Sequence, residues 1–87
     1  MSHDELADFY PEVMIYPEFE EALVGITTSA GETRVVYHRE KCIDCLVEGG
    51  MSQLDAEEYF AYNVDMAYLG EATPVILDTS LTDVTIL

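Results

Sequence analysis

Positive charge is what this chain has least of: three Lys or Arg in 87 residues, against 18 Asp and Glu. Three cations cannot neutralise a useful run of phosphates, so nucleic acid is excluded as a direct partner. An anionic membrane surface repels such a chain, and no apolar run approaches the ~20 residues of a membrane span. The start, Met1-Ser2-His3-Asp4-Glu5, is acidic where a secretory signal needs a basic region and an apolar stretch, so the expected location is cytoplasmic. There is no Trp, no Gly-rich phosphate loop, no Ser-His-Asp pattern, and no internal repeat or low-complexity linker.

What is present is enough to fold. Hydrophobic residues make up 49% of the chain, with six Tyr and three Phe, so it is not an acidic disordered tail. Its length suits one domain with one core, residues 1–87. The formal net charge is −15 at pH 7, and its distribution is uneven. Arg34, Arg39 and Lys41 fall in one window of eight residues; residues 1–33 hold eight acids and residues 42–87 nine, with no Lys or Arg in either flank. Over an accessible surface of roughly 5,100 Å², the net charges would lie about 18 Å apart, beyond the Debye length of about 8 Å at physiological salt. Only clusters can act on a partner, and the two densest are Asp55/Glu57/Glu58 and Glu18/Glu20/Glu21.

The pattern along the chain predicts an α+β fold. Residues 1–17 are irregular, with one helical turn near Asp4 to Phe9. Pro17 suits the first position of a second turn, whose positive end welcomes Glu18, Glu20 and Glu21. Residues 22–28 and 33–38 are β-branched and aromatic and flank Ser29-Ala30-Gly31-Glu32, which predicts a β-hairpin with a four-residue loop. On alternation, Leu23, Gly25 and Thr27 share one strand face against Val24 and Ile26, and Val35 and Tyr37 oppose Arg34, Val36 and His38. From Arg39 to Val47, Cys42, Ile43, Leu46 and Val47 form a helical stripe ended by Gly49-Gly50. Ser52, with Asp55 three residues on, opens a second helix from Gln53 to about Leu69, with Met51 stapling against Ala56. Its inward stripe reads Ala56, Tyr59, Phe60, Asn63, Met66 and Ala67. A short strand over residues 73–78 follows, and 81–87 alternates as a fourth strand or a loose end would. The expected order is ββααβ, two helices on one face of a hairpin closed by a later strand.

Several stretches, taken in order, resemble a group of small phage and prophage proteins. They are Glu18-Phe19-Glu20-Glu21-Ala22-Leu23-Val24-Gly25-Ile26, Val36-Tyr37, Lys41-Cys42-Ile43 and Gly50-Met51. Ala56-Glu57-Glu58-Tyr59-Phe60, Asn63-Val64 and Ala67-Tyr68-Leu69-Gly70-Glu71-Ala72-Thr73-Pro74-Val75 complete the set, so that the resemblance covers residues 18–77. It implies a phage context, in which small acidic proteins commonly inhibit host defence, some by imitating DNA. In those relatives an Asp commonly caps the first helix where His38 stands here, and an aliphatic residue replaces Cys45. The first departure weakens the cap; the second weighs against a shared role for the two cysteines.

Candidate sites follow. Cys42-Ile43-Asp44-Cys45 places two thiols at a helix start near Arg39 and Lys41, where a thiolate is favoured, but Cys42 also belongs to the apolar stripe. His38, with His3 as a further ligand, would be needed to complete a metal site with the pair. Buried core, redox pair and metal site thus remain three readings, with core favoured and neither cofactor nor metal expected. Asn63, on the apolar stripe, is expected to be buried and to tie the helix to its neighbours. Carboxylate pairs abound, but a domain this small offers little cleft in which two would differ, so an enzyme is not expected. Tyr62 is expected to face outward, and exposed Tyr among acids suits a protein-binding patch. The leading expectation is a non-enzymatic acidic binding protein that blocks a basic host protein surface, such as the nucleic-acid groove of a defence complex. Asp55, Glu57, Glu58, Tyr62 and Asp65 carry the contact, with Glu18, Glu20 and Glu21 as a second patch. The alternative is a small housekeeping or assembly domain whose acidity serves only solubility or high salt. Pairing of two copies through a free sheet edge, at Val75 to Leu77, is a further expectation.

Overall fold

Val, Ile, Thr and Tyr crowd two stretches of the chain, and both are strands in the computed structural model, which describes residues 2–65 and 69–79. β1 (Leu23–Ser29) and β2 (Glu32–His38) pair antiparallel with Ser29 opposite Glu32. Pairing runs closer to the turn than the expected four-residue loop allows, so only Ala30 and Gly31 make the reversal. Both have positive φ, 52° and 81°, as a type I′ turn requires to match the twist of the flanking strands. Gly31 adopts this freely, whereas the Cβ of Ala30 makes the left-handed conformation cost about 1–2 kcal/mol.

β1 does not alternate as expected. Its register slips between Leu23, opposite Tyr37, and Gly25, opposite Val36. A bulge of this kind adds one residue and re-phases the strand. Leu23 and Ile26 therefore both pack on the core, while Val24 is exposed. β2 keeps its alternation, with Val35 and Tyr37 fully buried.

β3 (Val75–Leu77) lies parallel to β2, with Val36 opposite Val75 and His38 opposite Leu77, giving the order β1-β2-β3. A parallel neighbour requires a long crossover, supplied here by α2 (Arg39–Glu48) and α3 (Gln53–Phe60). The return into β3 is fixed by Thr73, whose buried hydroxyl accepts the Leu69 N–H at 2.7 Å and donates to the Gly70 carbonyl at 2.6 Å. The mixed three-stranded sheet with its helices is the α+β class read from the sequence.

The N-terminal stretch is more ordered than its composition suggests. α1 (His3–Phe9) is capped by the Ser2 hydroxyl, which accepts the Glu5 N–H at 3.2 Å, and tied at its start by the His3 N–H to the Glu20 carboxylate at 2.9 Å. Pro17–Ala22 forms a 3-10 segment with Pro at its head, kinked at Phe19. α2 starts at His38 without a side-chain cap: the imidazole Nε2 lies 3.0 Å from the Thr79 hydroxyl instead. Ser52 does cap α3, accepting the Asp55 N–H at 3.1 Å.

α3 departs most from expectation. It is regular only to Phe60; Ala61–Asp65 then forms a π-helical turn. Its buried residues are Ala56, Phe60 and Val64, a row spaced by four. Tyr59 and Asn63, placed on the inward stripe by the sequence, are exposed. The apolar run is wider than the contact, and propensity alone does not say which edge turns inward. Asn63 does not bridge to another element: its amide donates to the Tyr59 carbonyl at 3.1 Å, a local bond where the helix widens. Met66 and Ala67 of that stripe, and the expected fourth strand at 81–87, lie outside the described residues.

The core joins Leu6 of α1, Phe19 and Ala22 of the 3-10 segment, Val35 and Tyr37 of β2, Cys42 and Ile43 of α2, and Ala56, Phe60 and Val64 of the last helical run. Its centre is aromatic. Phe19 stands edge-on to Tyr16 and Tyr37 at 5.9 and 6.3 Å and lies 6.4 Å from Phe60, over which Arg39 is stacked at 5.6 Å. Such pairs contribute about 0.5–1.5 kcal/mol each beyond area burial.

Candidate protein-binding surfaces

α3 and the π turn present a continuous outer face. Asp55, Glu57 and Glu58 are all exposed on it, as expected. Tyr62 is 75% exposed, in agreement with its predicted outward direction, and Leu54, two turns earlier and not singled out from the sequence, is 63% exposed. Tyr59, displaced from the core, adds a third apolar group to this face at 41% exposure. Leu54, Glu58 and Tyr62 follow at intervals of four, so an apolar residue, an acid and an aromatic share one row along the helix. The Glu57 carboxylate accepts from Gln53 at 3.3 Å, and none of the three acids pairs with a Lys or Arg among the described residues. The side chain of Asp65, the remaining member of the expected patch, lies outside the described residues.

Glu18, Glu20 and Glu21 are exposed on the 3-10 segment, but they do not form a patch alone. Glu20 is engaged by the His3 backbone. The segment packs along α2, whose outer face carries Glu40, Asp44 and Glu48 at a spacing of four, all exposed. The result is a joint cluster: burial, then the charges of Glu21, Glu48 and Asp44, hold the Cys45 thiol above its ordinary pKa. Glu18, after burial itself, helps raise the Tyr16 phenol. The i, i+4, i+8 spacing of the α2 acids was visible in the sequence; their approach to Glu21 depends on tertiary packing.

Both cysteines are free thiols. Cys42 is fully buried in the core, and burial, with Cys45 and Glu18 nearby, pushes its pKa up to about 12. The helix start and the two cations expected to favour a thiolate are outweighed by desolvation. His3, the remote ligand of the metal reading, is committed to the Tyr37 hydroxyl at 2.8 Å. No group of three or more His, Cys, Asp or Glu among the described residues is arranged to hold a metal.

No helix among the described residues is long and apolar enough to cross a membrane. No known protein family, curated protein or solved structure matches the chain.

Proposed function

We propose that this is a non-enzymatic binding protein of phage type, cytoplasmic in its host, which docks the outer face of α3 on a basic host protein surface and blocks it. The observation that carries the reading is the combination on α3: Leu54, Tyr59 and Tyr62 exposed beside Asp55, Glu57 and Glu58, with no cation among the described residues paired to those acids. Exposed Tyr at a patch centre is a common energetic anchor in protein interfaces, and unpaired carboxylates around it steer a basic partner and set its orientation. The basic surface is of the kind that nucleic-acid-binding proteins present, such as the groove of a defence complex. The phage context is part of the proposal and rests on the resemblance read in residues 18–77 alone.

The test is retention of a partner from bacterial host lysate on the immobilised protein, read against salt and against two variants. Raising salt from 0.1 M to 1 M shortens the Debye length from about 10 Å to about 3 Å, so a basic partner held by these acids is released. Tyr62→Ala should weaken retention at low salt about thirtyfold, since truncating a central Tyr anchor costs about 2 kcal/mol. Glu57→Gln with Glu58→Gln should slow capture. If nothing is retained at low salt, the acidity serves solubility alone and the housekeeping alternative stands.

A further inference from the structure

A groove of 440 Å³ opens where the end of α1 faces the hairpin turn. Phe9, Tyr10 and Pro11 form one side; Glu32 of the hairpin and Glu71 of the loop before β3 form the other. Phe9 is 76% exposed and Tyr10 38%. The groove has three carboxylates, Glu12, Glu32 and Glu71, and no Lys or Arg in its lining. Arg34 touches the edge of this set, with its guanidinium 3.6 Å from Glu32.

The acids are not simply spread along the rim. Glu71 is raised above the ordinary carboxylate pKa, first by a hydrogen bond with the Glu32 carboxyl and then by its charge, with Arg34 opposing. Two carboxyls brought near each other repel as anions, which favours a cation placed between them. Arg34 alone does not relieve the pair.

The chemistry of the groove narrows its occupant. An anion is excluded by three carboxylates. A metal ion would need a cluster of ligands that the described residues do not assemble here. An organic cation satisfies both walls, and a guanidinium does so best: it is planar, it offers paired N–H donors that match carboxyl oxygens, and it is weakly enough hydrated to lie on an aromatic ring. We infer that this groove receives an arginine side chain of a protein partner, its guanidinium held by Glu32 and Glu71 and its flat face laid on Phe9 and Tyr10. The inference rests on the reading of a basic partner given above, but it uses different residues from the α3 face.

Amide NMR titration with the probe peptide acetyl-Gly-Arg-Gly-amide, and with its Lys and citrulline counterparts, tests it. The arginine peptide should shift the amides of Gly31, Glu32, Thr33, Glu71 and Ala72 saturably. The lysine peptide should bind more weakly, and the uncharged citrulline peptide should leave these signals unmoved. Phe9→Ala should weaken arginine binding about three- to fivefold, the size of an exposed cation–π contact, while the rest of its spectrum stays that of the wild type because Phe9 is largely in solvent. Glu71→Gln should weaken it at least as much. Equal responses to arginine and lysine, or shifts spread evenly over the acids of α3 and the 3-10 segment, would overturn the inference. So would silence at the groove. If the groove stays silent while the Tyr62-dependent partner is still captured, only the groove assignment fails. If the groove saturates with arginine while lysate capture yields nothing, the α3 reading fails instead.

Discussion

Tyr37→Phe removes one oxygen from the centre of the molecule and should cost far more than its size. The Tyr37 side chain is fully buried. Its hydroxyl accepts the Tyr16 N–H at 2.8 Å and lies 2.8 Å from His3 Nε2, with the Tyr16 carbonyl a longer 3.5 Å away. The phenol donates its one proton to the Tyr16 carbonyl and pairs with the His3 ring on its remaining side. The hydroxyl therefore joins three chain segments: β2, the loop leading to the 3-10 segment, and α1. In the Phe variant the Tyr16 N–H and the buried His3 ring both lose their partner, at about 1–3 kcal/mol for each group left unsatisfied. Tyr16 is half-buried and recovers part of its loss with water, and phenylalanine escapes the desolvation of the phenol. A net loss of about 2–3 kcal/mol follows, and with about 4–8 °C per kcal/mol in a domain this small, a fall in Tm on the order of 15 °C. Denaturant unfolding gives the magnitude; hydrogen exchange gives the place, since amides of α1 should lose protection before those of β2. His3→Ala, which strands no backbone group, should cost about 1 kcal/mol, and the double variant should fall short of the sum because both remove the same bond. A Tyr37→Phe protein within 0.5 kcal/mol of wild type, with α1 still protected, would refute the claim that this hydroxyl fastens the N-terminal helix.

Two further outcomes follow from local geometry. Ala30→Asn should stabilise the protein by about 0.5–1 kcal/mol in thermal or denaturant unfolding, because Asn tolerates the left-handed φ of 52° that Ala30 holds at a cost. Alkaline pH should unfold the chain: Cys42 moves from an ordinary 9.0 and Tyr37 from an ordinary 10.0 up to about 12, both chiefly through burial. A folded pKa raised in this way gives stability that is whole below pH 9 and is lost as pH rises toward 12. Denaturation midpoints measured across that range check it, and Cys42 should resist iodoacetamide at neutral pH until the protein is unfolded.

The parts of the fold that were legible share a cause: local signals and tertiary contacts agree there. The β-branched runs, Ser52 as a cap and Gly49-Gly50 as a stop each specify one local conformation, and the packing accepts it. The misreadings lie where several local choices are nearly equal in energy. On α3, Tyr59, Phe60 and Val64 present an apolar strip wider than the surface it meets; the row of Ala56, Phe60 and Val64 goes inward, with Phe60 against Phe19 and under Arg39. In β1 a single bulge at Gly25 re-phases Leu23 and Ile26 onto the same face; a glycine inside a strand is compatible with a bulge but does not require one. Of the candidate site, Tyr62 and the three α3 acids were visible from helical spacing. The approach of Asp44 and Glu48 to Glu21, and the Glu32–Glu71 pair, join residues 23 to 39 positions apart and are legible only once α2 and the loop before β3 are placed.

That placement divides the work that charge can do. A carboxylate cluster changes the rate and direction of encounter, while retention needs apolar surface that leaves water on contact. The cluster on the 3-10 segment and α2 has drawn its aromatics, Tyr16 and Phe19, into or against the core. It can steer a basic partner but offers no aromatic anchor. α3 has Leu54 and Tyr62 in solvent beside its acids, and the hairpin groove has Phe9 and Tyr10. Neutralising Glu21, Asp44 and Glu48 should therefore alter association and its salt dependence and leave dissociation nearly unchanged. Truncating Tyr62 should do the reverse. A net charge of −15 becomes specific only at the places where the fold sets acids against exposed rings.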